Sequence, residues 1–418
     1  MGTQVVSLEG YGQRFVYNHI ERPLIPVLIE MESYGMRVDM DALTILGEEL
    51  SNGQQQLRDG PLSGVNVGKS GTTGATIRHL YTDLGLPILR TTDGGKPATD
   101  DDTLKLLVGK ARGEARSFVE ALRTLRELAK LESTYVGGMR SFIGRNDRVR
   151  YRLHQVGTET GRMSCSEFNL QNIPATGTFG PRFRQCFIAE DGMSLMAADY
   201  SQIEYRVVAV LANEAGLING WRDDPAMDAH LLTTLLLGLP KERRRDGKTL
   251  NFGLLYGLED KALSVALGCT VKEAQGLKRL YWERLPGIAA WVKQTKMQAV
   301  QEGYVETYFG RRNYIQIPDE AERWLVEAKL REAVNMPVQG SAGDIEKVFM
   351  PRALEVAHNH GASMLLMVHD ELVFEVPEGK EEVMAEELQE VGCHCVDIGV
   401  PLKLDVHYGH NWKEAKGE

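Results

Sequence analysis

Residues 363–377 read SMLLMVHDELVFEVP, two apolar stretches on either side of His369, Asp370 and Glu371. Runs rich in Val, Leu and Phe around a short polar break predict a β-hairpin. Two apolar strands gain nothing from charges at their junction unless those charges bind something. The tip of this hairpin is therefore a candidate functional site.

A second carboxylate ends another predicted strand. In MSLMAADYSQIEYRVV (193–208) an apolar strand ends at Asp199, and a helical segment follows. Taken alone, such an aspartate is more often a helix cap or a surface residue than a metal ligand. Taken together, Asp199 and Asp370 suit Mg²⁺, which prefers one or two carboxylates plus substrate phosphates.

A third segment, ERRRDGKTLNFGLLYGL (242–258), places Arg244, Lys248, Phe252 and Tyr256 four residues apart. At 3.6 residues per turn these side chains share one face of a helix. Two cations followed by two aromatic rings match a nucleoside triphosphate, with its phosphates on the cations and its base near the rings. The alternative is an amphipathic helix whose aromatic residues are core, but Gly253 and Gly257 weaken a helix that only packs.

Charge limits how the chain could contact nucleic acid. The net charge of −10 argues against coating phosphates over the whole surface. A local basic region spans Lys105–Arg152, with twelve Lys/Arg and five Asp/Glu. A solvated helical face explains this region equally well.

Cysteine content and hydropathy indicate a cytoplasmic protein, in the host cytoplasm if the chain is phage-encoded. The five cysteines show no C-x-x-C spacing, which suits a reducing compartment. A zinc site of Cys393-His394-Cys395 with His407 or His410 is disfavoured, because adjacent residues cannot easily face one tetrahedral ion. The first residues, MGTQVVSLEG, lack the features of a signal peptide, and no apolar run approaches membrane-spanning length.

The remaining pattern is mainly helical. Pro23–Leu50 predicts a helix, a turn at Gly35, a short strand and a further helical run. GVNVGKSG (64–71) is not a P-loop, because Ser63 stands where that motif needs glycine, and the surrounding segment is predicted as loops around a short helix over 75–84. Residues 101–135 have the character of a long helix. Short strands and turns follow over 150–200, and helices dominate over 201–330.

These motifs resemble a known family. DYSQIE, KTLNFGLLYG and VHDELVFE are similar to the three polymerase motifs of family A, the bacterial DNA polymerase I group. TETGRMSCSEFNLQNIP (158–174), YVETYFGRRNY (304–314) and REAVNMPVQGSAGD (331–344) resemble further segments of that family in the same order. The resemblance runs from about Pro23 to the closing HNWKEAKGE.

The resemblance implies a role for each matching residue. Asp199 and Asp370 would be the catalytic, metal-binding carboxylates, with Glu371 in support and the backbone carbonyl of Tyr200 completing the metal site. Lys248 would be catalytic as well as phosphate-binding. The residues expected to bind the incoming deoxynucleotide are Gln202, Glu204, His230, Arg244, Lys248, Phe252 and Tyr256. Those expected to contact primer and template are Arg162, Asn169, Gln171, Asn172, Arg331, Gln339 and His369.

Glu204 would close against the sugar 2′ position and reject ribonucleotides, although SQIE also fits the S-x-x-E capping box of a helix start. The contacts with primer and template would lie in the minor groove, where shared acceptors allow pairing geometry to be checked without reading sequence.

The implied fold is α+β with a right-hand polymerase architecture: an antiparallel palm sheet, helical fingers and a helical thumb. The expected boundaries are 1–41 for the N-terminal part of the palm, 42–145 for the thumb, 146–207 for the palm, 208–335 for the fingers and 336–418 for the remaining palm. The basic region would then lie in the thumb and contact phosphates there.

The implied reaction is attack of a primer 3′-hydroxyl on the α-phosphate of a deoxynucleoside triphosphate. Two Mg²⁺ ions, replaceable by Mn²⁺, would sit roughly 3.5 to 4 Å apart. Closure of the Arg244–Tyr256 helix over a correct pair would provide selection. The partners expected are primer–template DNA, deoxynucleoside triphosphates, and a separate exonuclease, helicase or processivity factor. The chain is expected to act as a monomer away from membranes.

Several positions depart from the family pattern. About twenty-two residues precede the resemblance, so the chain is expected not to proofread. His230 lies only eighteen positions before Lys248, a short connection that weakens its phosphate role. Tyr205 replaces the usual aliphatic residue beside Glu204, which weakens sugar discrimination. Phe252, where some relatives have Tyr, predicts poor use of dideoxynucleotides.

The alternatives are other polymerases, a nuclease or a scaffold. A polymerase using an RNA template or ribonucleotides would share the palm, but Glu204 argues against ribonucleotides. A metal-dependent nuclease would need two carboxylates but not the cation-then-aromatic helix. A catalytically weak DNA-binding scaffold is expected to lose a metal aspartate, whereas this chain keeps both.

Overall fold

The computed structural model describes residues 12–69, 71–92, 94–144, 146–318 and 320–417. The chain divides into two compact units. The first unit contains the described residues of Met1–Gly35, Tyr151–Gln171 and Ala189–Glu418. The second contains those of Met36–Arg150 and Asn172–Ile188, and the predicted thumb, 42–145, lies within it. The five domain boundaries stay a prediction.

Helices account for most of the regular structure in the described residues. The α-helices are α1 (Gln13–Phe15), α2 (Arg22–Tyr34), α3 (Met40–Asp59), α4 (Gly74–Arg78), α5 (Asp101–Lys110), α6 (Gly113–Lys130), α7 (Gly138–Arg140), α8 (Gly180–Gln185), α9 (Ile203–Leu211), α10 (Ala215–Asp223), α11 (Ala229–Leu236), α12 (Arg244–Leu255), α13 (Asp260–Leu267), α14 (Val271–Arg284), α15 (Pro286–Glu302), α16 (Arg323–His360) and α17 (Glu381–Cys393). Segments Val16–Glu21, His79–Asp83 and Leu131–Gly137 are π-helical, and Leu170–Asn172, Lys241–Arg243 and Glu414–Lys416 are 3₁₀ turns. Among these, none is both long and apolar enough to cross a membrane.

Within the described ranges, the β-strands form one four-stranded sheet and three two-stranded ones. They are β1 (Met36–Arg37), β2 (Arg148–Val149), β3 (Arg152–His154), β4 (Ser164–Ser166), β5 (Met193–Tyr200), β6 (Tyr304–Glu306), β7 (Arg312–Tyr314), β8 (Ser363–Val368), β9 (Glu371–Pro377) and β10 (Leu404–Gly409). The four-stranded sheet has the order β10-β5-β9-β8, and all its pairs are antiparallel. The small sheets pair β1 with β2, β3 with β4 and β6 with β7.

The central sheet confirms the predicted hairpin. Strands β8 and β9 pair through Val368 and Glu371, which leaves His369 and Asp370 as a two-residue turn. His369 has a φ of 58°, the left-handed conformation that such tight turns use. Both strands are almost wholly buried, because α16 and α2 cover the sheet. A buried hairpin thus presents one aspartate at its tip.

Helix α12 confirms the predicted cation–aromatic helix, and its other face is buried. Leu250, Leu254 and Leu255 belong to a hydrophobic cluster shared with α9, α14, α15 and α16. Gly247 allows α11 to approach closely, since a Cβ there would lie 2.2 Å from the carbonyl oxygen of His230. The apolar face therefore fixes α12 and leaves the Arg244–Tyr256 face available.

The second unit has its own core and corrects one prediction. Residues 101–135 are not one helix, because α5 ends at Lys110 and α6 begins at Gly113, which has a φ of 53°. The two helices meet in a cluster of buried side chains, namely Leu104, Leu107, Phe118, Val119, Leu122 and Leu125. The apolar periodicity continues across the break, so the sequence pattern alone did not reveal it.

Part of the basic region is already neutralised inside the second unit. Lys105 pairs with Asp101 at 2.7 Å, and Arg123 pairs with the same carboxylate at 2.8 Å. Arg126 is partly buried and donates to the carbonyl oxygen of Gly71 at 2.9 Å. Fewer cations are thus free for phosphates than the sequence count indicates.

Candidate active site

A row of three carboxylates crosses the central sheet. Asp199 on β5 lies directly opposite Glu371 on β9 and Asp405 on β10. Asp370 precedes Glu371, and its carbonyl oxygen accepts a hydrogen bond from the Tyr200 amide at 3.1 Å. The two predicted metal aspartates are thus brought together by backbone pairing between β5 and the hairpin.

Cations from two other segments face these carboxylates. Lys416 forms an ion pair with Glu371, and its Nζ lies 3.4 Å from Asp199 Oδ2. Arg162 Nη2 lies 3.4 Å from Asp370 Oδ1. The Trp412 indole N–H donates to Glu371 at 2.8 Å, so Glu371 already has two partners.

Burial makes ionisation of both aspartates unfavourable. Burial is the main cause that raises the pKa of Asp370 to about 6; Arg162 opposes the rise, and the nearby Glu204 and Asp199 contribute to it. Burial likewise raises the pKa of Asp199, although Lys416 opposes it. Positive charge delivered between these side chains would favour their ionised forms.

Glu204 is held by two partners of the predicted site. Arg162 donates to one of its carboxylate oxygens and the Tyr256 hydroxyl to the other. The capping-box interpretation of SQIE is wrong, because helix α9 starts after Gln202, a left-handed residue with a φ of 56°, and no side chain caps it. Arg162 therefore links Glu204 to Asp370.

The α12 face has the predicted order of side chains. Arg244 is exposed and pairs with Asp228, which also caps α11 through the amides of His230 and Leu231. Lys248 is exposed and makes no hydrogen bond or ion pair with any described residue. The Phe252 and Tyr256 rings lie 6.0 Å apart at the far end of the helix.

His230 lies next to this face despite the short connection. It is buried, its ring centre is 5.4 Å from that of Phe252, and its Nδ1 accepts from the Asn251 amide at 2.9 Å. Burial, together with the neighbouring Arg244 and Lys248, lowers the pKa of His230 to about 4. The imidazole is therefore neutral at pH 7 and carries its proton on Nε2.

Tyr205 lies behind the face rather than beside it. It is fully buried in the cluster that supports α12, and its hydroxyl donates to Asn251 at 2.8 Å. Asn251 in turn orients His230. Tyr205 therefore supports the candidate site from behind and does not line it. Gln202, another predicted nucleotide-binding residue, lies at the start of α9, and its side-chain oxygen accepts from the Ala229 amide at 3.0 Å.

Most residues predicted to contact primer and template surround this site in the first unit. Gln339 on α16 lies beside the Tyr256 hydroxyl. Arg331 packs against Gly257, where a Cβ would lie 2.8 Å from the arginine stem. Gln171 donates to the Met367 carbonyl of β8 at 3.3 Å.

The other three sit in different settings. His369 is the exposed turn residue beside Asp370, and Asn169 has a buried side-chain oxygen without a hydrogen-bond partner in the described structure. Asn172 belongs to the second unit, where its carbonyl accepts from the Tyr135 hydroxyl at 2.7 Å.

Sequence reasoning missed three charged residues of the candidate site. Lys416 pairs with the carboxylate row, and Asp228 neutralises Arg244. Glu346 on α16 is buried, one of its oxygens has no partner among the described residues, and burial together with Asp370 raises its pKa well above the usual value. Glu346 carried a weak signal in the sequence, since GDIEKVFM places it directly between Ile345 and Lys347 and close to the apolar Val348, Phe349 and Met350.

The donor set suits a hard divalent cation. The described residues contain no cluster of three or more His, Cys, Asp or Glu side chains placed to hold a metal. Two aspartates and a backbone carbonyl are, however, the type of incomplete oxygen set that Mg²⁺ completes with substrate phosphates and water. Burial raises the pKa of Asp370, so a cation bound beside it would favour the ionised form.

Comparison with known proteins identifies the family. Residues 70–414 match DNA polymerase family A. The thermostable DNA polymerase I of Thermus filiformis is 40% identical over 415 residues, which cover 96% of this chain and 48% of that protein. DNA polymerase I of Pseudomonas aeruginosa is 37% identical and is covered to 44%. The chain thus spans about half the length of these curated relatives.

A solved structure is similar over nearly the whole chain. It is described as the POL domain of Pol1 from M. smegmatis in complex with DNA primer-template and dNTP, and it matches with a TM-score of 0.87 and 32% identity. The match covers 96% of this chain and 71% of that one. The predicted α+β right-hand fold class is therefore confirmed. With the family match and the order of its motifs, the chain belongs to DNA polymerase family A.

Proposed function

We propose that this chain is a DNA-directed DNA polymerase that extends a primer 3′ end on a DNA template by two-metal-ion nucleotidyl transfer. The observation that carries the proposal is the pairing of β5 with the β8–β9 hairpin, which brings Asp199 and Asp370 together. The relatives named DNA polymerase I support it, as does the solved structure bound to primer–template DNA and a dNTP. Primer–template DNA and deoxynucleoside triphosphates are the proposed ligands.

Asp199, Asp370 and the Tyr200 carbonyl would hold the divalent cations. Bound there, the cations would activate the primer hydroxyl and stabilise charge on the phosphate oxygens. Asp370 must give up its contact with Arg162 to serve as a ligand. Because burial raises its pKa to about 6, Asp370 also holds a proton in mildly acidic solution that a bound cation would displace. Metal binding and the release of a proton from Asp370 are thus coupled.

The exposed face of α12 would bind the triphosphate. Lys248 is the cation of this face that has no partner among the described residues, whereas Arg244 must exchange Asp228 for phosphate. Neutral His230, with Asn251 on its Nδ1, keeps an N–H donor on Nε2. The charged Lys248 on α12 and the neutral His230 on α11 would therefore both donate hydrogen bonds to the phosphates.

The aromatic end of α12 would receive the base and sugar. A cavity of about 560 Å³ is lined by Phe252, Tyr256, Gly257 and Arg331, among others. Glu204 contacts Tyr256, so the proposed 2′ filter lies next to this aromatic end. Its two hydrogen-bond partners fix the carboxylate where an added 2′-hydroxyl would have to fit.

Extension of a primed DNA template tests the proposal directly. The purified chain with Mg²⁺ is expected to extend with deoxynucleotides and poorly with ribonucleotides. Asp370→Ala should abolish extension while DNA binding is retained, and Asp397→Ala, an exposed aspartate of the same unit, should behave as wild type. No product with either nucleotide from the wild-type chain would favour a DNA-binding scaffold, and extension by Asp370→Ala would contradict the two-metal assignment.

A further inference from the structure

The carboxylate row on the central sheet needs a permanent counter-ion. Asp405, Asp199 and Glu371 are direct cross-strand partners, and like charges in such positions repel one another. Lys403 pairs with Asp405 at 2.5 Å, which leaves Asp199 and Glu371 to be balanced. The side chain that faces both of them is Lys416.

Lys416 is held in place by the segment that carries it. Trp412 and Ala415 are fully buried, and the Trp412 indole donates to Glu371. Asn411 Oδ1 accepts from the Glu414 amide at 3.1 Å, and Glu414 accepts in return from the Asn411 side chain at 2.7 Å. The short 3₁₀ turn that ends at Lys416 packs against β5 and β10. Its ammonium group is therefore directed at the carboxylates by fixed structure.

We propose that Lys416 is a positioning residue that sets the affinity of the metal site. It neutralises Glu371 and so keeps this carboxylate from becoming a metal ligand. It also competes with a divalent cation for Asp199 Oδ2, from which its Nζ lies 3.4 Å. The inference rests on the proposed function, because it assumes that Asp199 and Asp370 bind the cation.

The competition has a predictable direction. A fixed positive charge a few ångströms from a divalent cation weakens its binding, and removing that charge is expected to tighten binding on the order of tenfold. Without metal, the same removal leaves Asp199 and Glu371 in uncompensated repulsion. Loss of Lys416 should therefore destabilise the metal-free protein and strengthen metal binding at once, whereas a purely structural residue would produce only the first effect.

Binding of Mn²⁺ alone, measured by electron paramagnetic resonance without DNA or nucleotide, tests the inference. Lys416→Gln is expected to bind Mn²⁺ on the order of tenfold more tightly than wild type, and Lys416→Arg, which keeps the charge, should remain close to wild type. Lys413→Gln in the same segment is the matched control. The metal-free melting temperature of Lys416→Gln should fall and should recover as Mn²⁺ is added.

The outcomes separate the inference from the proposed function. Equal Mn²⁺ affinity in wild type, Lys416→Gln and Lys416→Arg would overturn the inference and leave the metal site intact. If wild type binds no Mn²⁺, or Asp199→Asn binds it equally well, the metal site itself fails. Should Lys416→Gln not fold, Lys416→Met keeps the apolar stem without the charge and is judged by the same affinity.

Discussion

Replacing Asp370 by asparagine removes an ionisable group from the β8–β9 turn while keeping its shape. Burial raises the pKa of Asp370 from an ordinary value of 3.8 to about 6. Between these values the folded protein holds a proton that the unfolded chain has lost. The free energy of unfolding of the wild type therefore falls as pH rises through this window. The asparagine variant has no such proton, so its free energy of unfolding should not fall in this way.

The magnitude follows from the size of the rise and from exposure. A change from 3.8 to about 6 corresponds to about 3 kcal/mol, at about 1.4 kcal/mol per pH unit. The side chain is 33% exposed, so solvent screening reduces this value. Asp370→Asn is expected to stabilise the metal-free protein by about 1 to 2 kcal/mol above about pH 7.

Urea unfolding in EDTA, followed by the fluorescence of the five tryptophans, measures the difference. The stability gap between Asp370→Asn and wild type should be largest near pH 8 and should shrink toward zero as pH is lowered to about 4. Adding Mg²⁺ near pH 8 should stabilise wild type and not the variant. Asp397→Asn, at an exposed position, should show no such gap.

Two results would refute this reasoning. A gap of constant size at every pH would mean that the asparagine acts through packing or hydrogen bonding and not through the proton on Asp370. A variant that is less stable than wild type near pH 8 would mean that the contact with Arg162 outweighs the cost of burying the charge.

Three further predictions concern the α12 face and its surroundings. Lys248→Ala should reduce kcat/KM for deoxynucleotides by at least about a hundredfold in single-nucleotide primer extension, because a charged phosphate contact is lost, whereas Arg245→Ala, which lies off the predicted face, should not. Glu204→Ala should raise ribonucleotide incorporation relative to deoxynucleotides in parallel extension assays, and an unchanged ratio would contradict its role as a filter. Gly247→Ala should lower the free energy of unfolding by about 1 to 3 kcal/mol in urea titrations, because its Cβ would meet the His230 carbonyl at 2.2 Å; a wild-type value would show that α11 and α12 can separate at no cost.

The elements that local sequence determines were predicted well. The hairpin follows from two apolar runs around a polar pair, and α12 follows from spacing by four residues. Asp199 and Asp370 could be proposed as partners because each interrupts an apolar strand, a pattern that is visible within a few residues. Their proximity nevertheless depends on pairing between distant strands, which no short window contains.

The remaining features depend on long-range contacts or on one backbone angle. Lys416 and Asp228 are ordinary charged residues in sequence, and only the fold directs them at Glu371 and Arg244. The SQIE capping box failed because Gln202 adopts a left-handed conformation. The break before Gly113 escaped detection because the apolar periodicity continues across it.

The strand order of the central sheet has a consequence for synthesis on the ribosome. Strand β5, which carries Asp199, lies between β9 and β10, and both of these come later in the chain. Lys416 follows Asp199 by 217 positions. The ribosome adds about 5 to 20 residues per second, so both edges of β5 remain unpaired for roughly ten seconds or more after it is made. Unpaired strand edges are the surfaces through which strands associate with other chains. The same topology delays the completed acidic site until the rest of the first unit has been made.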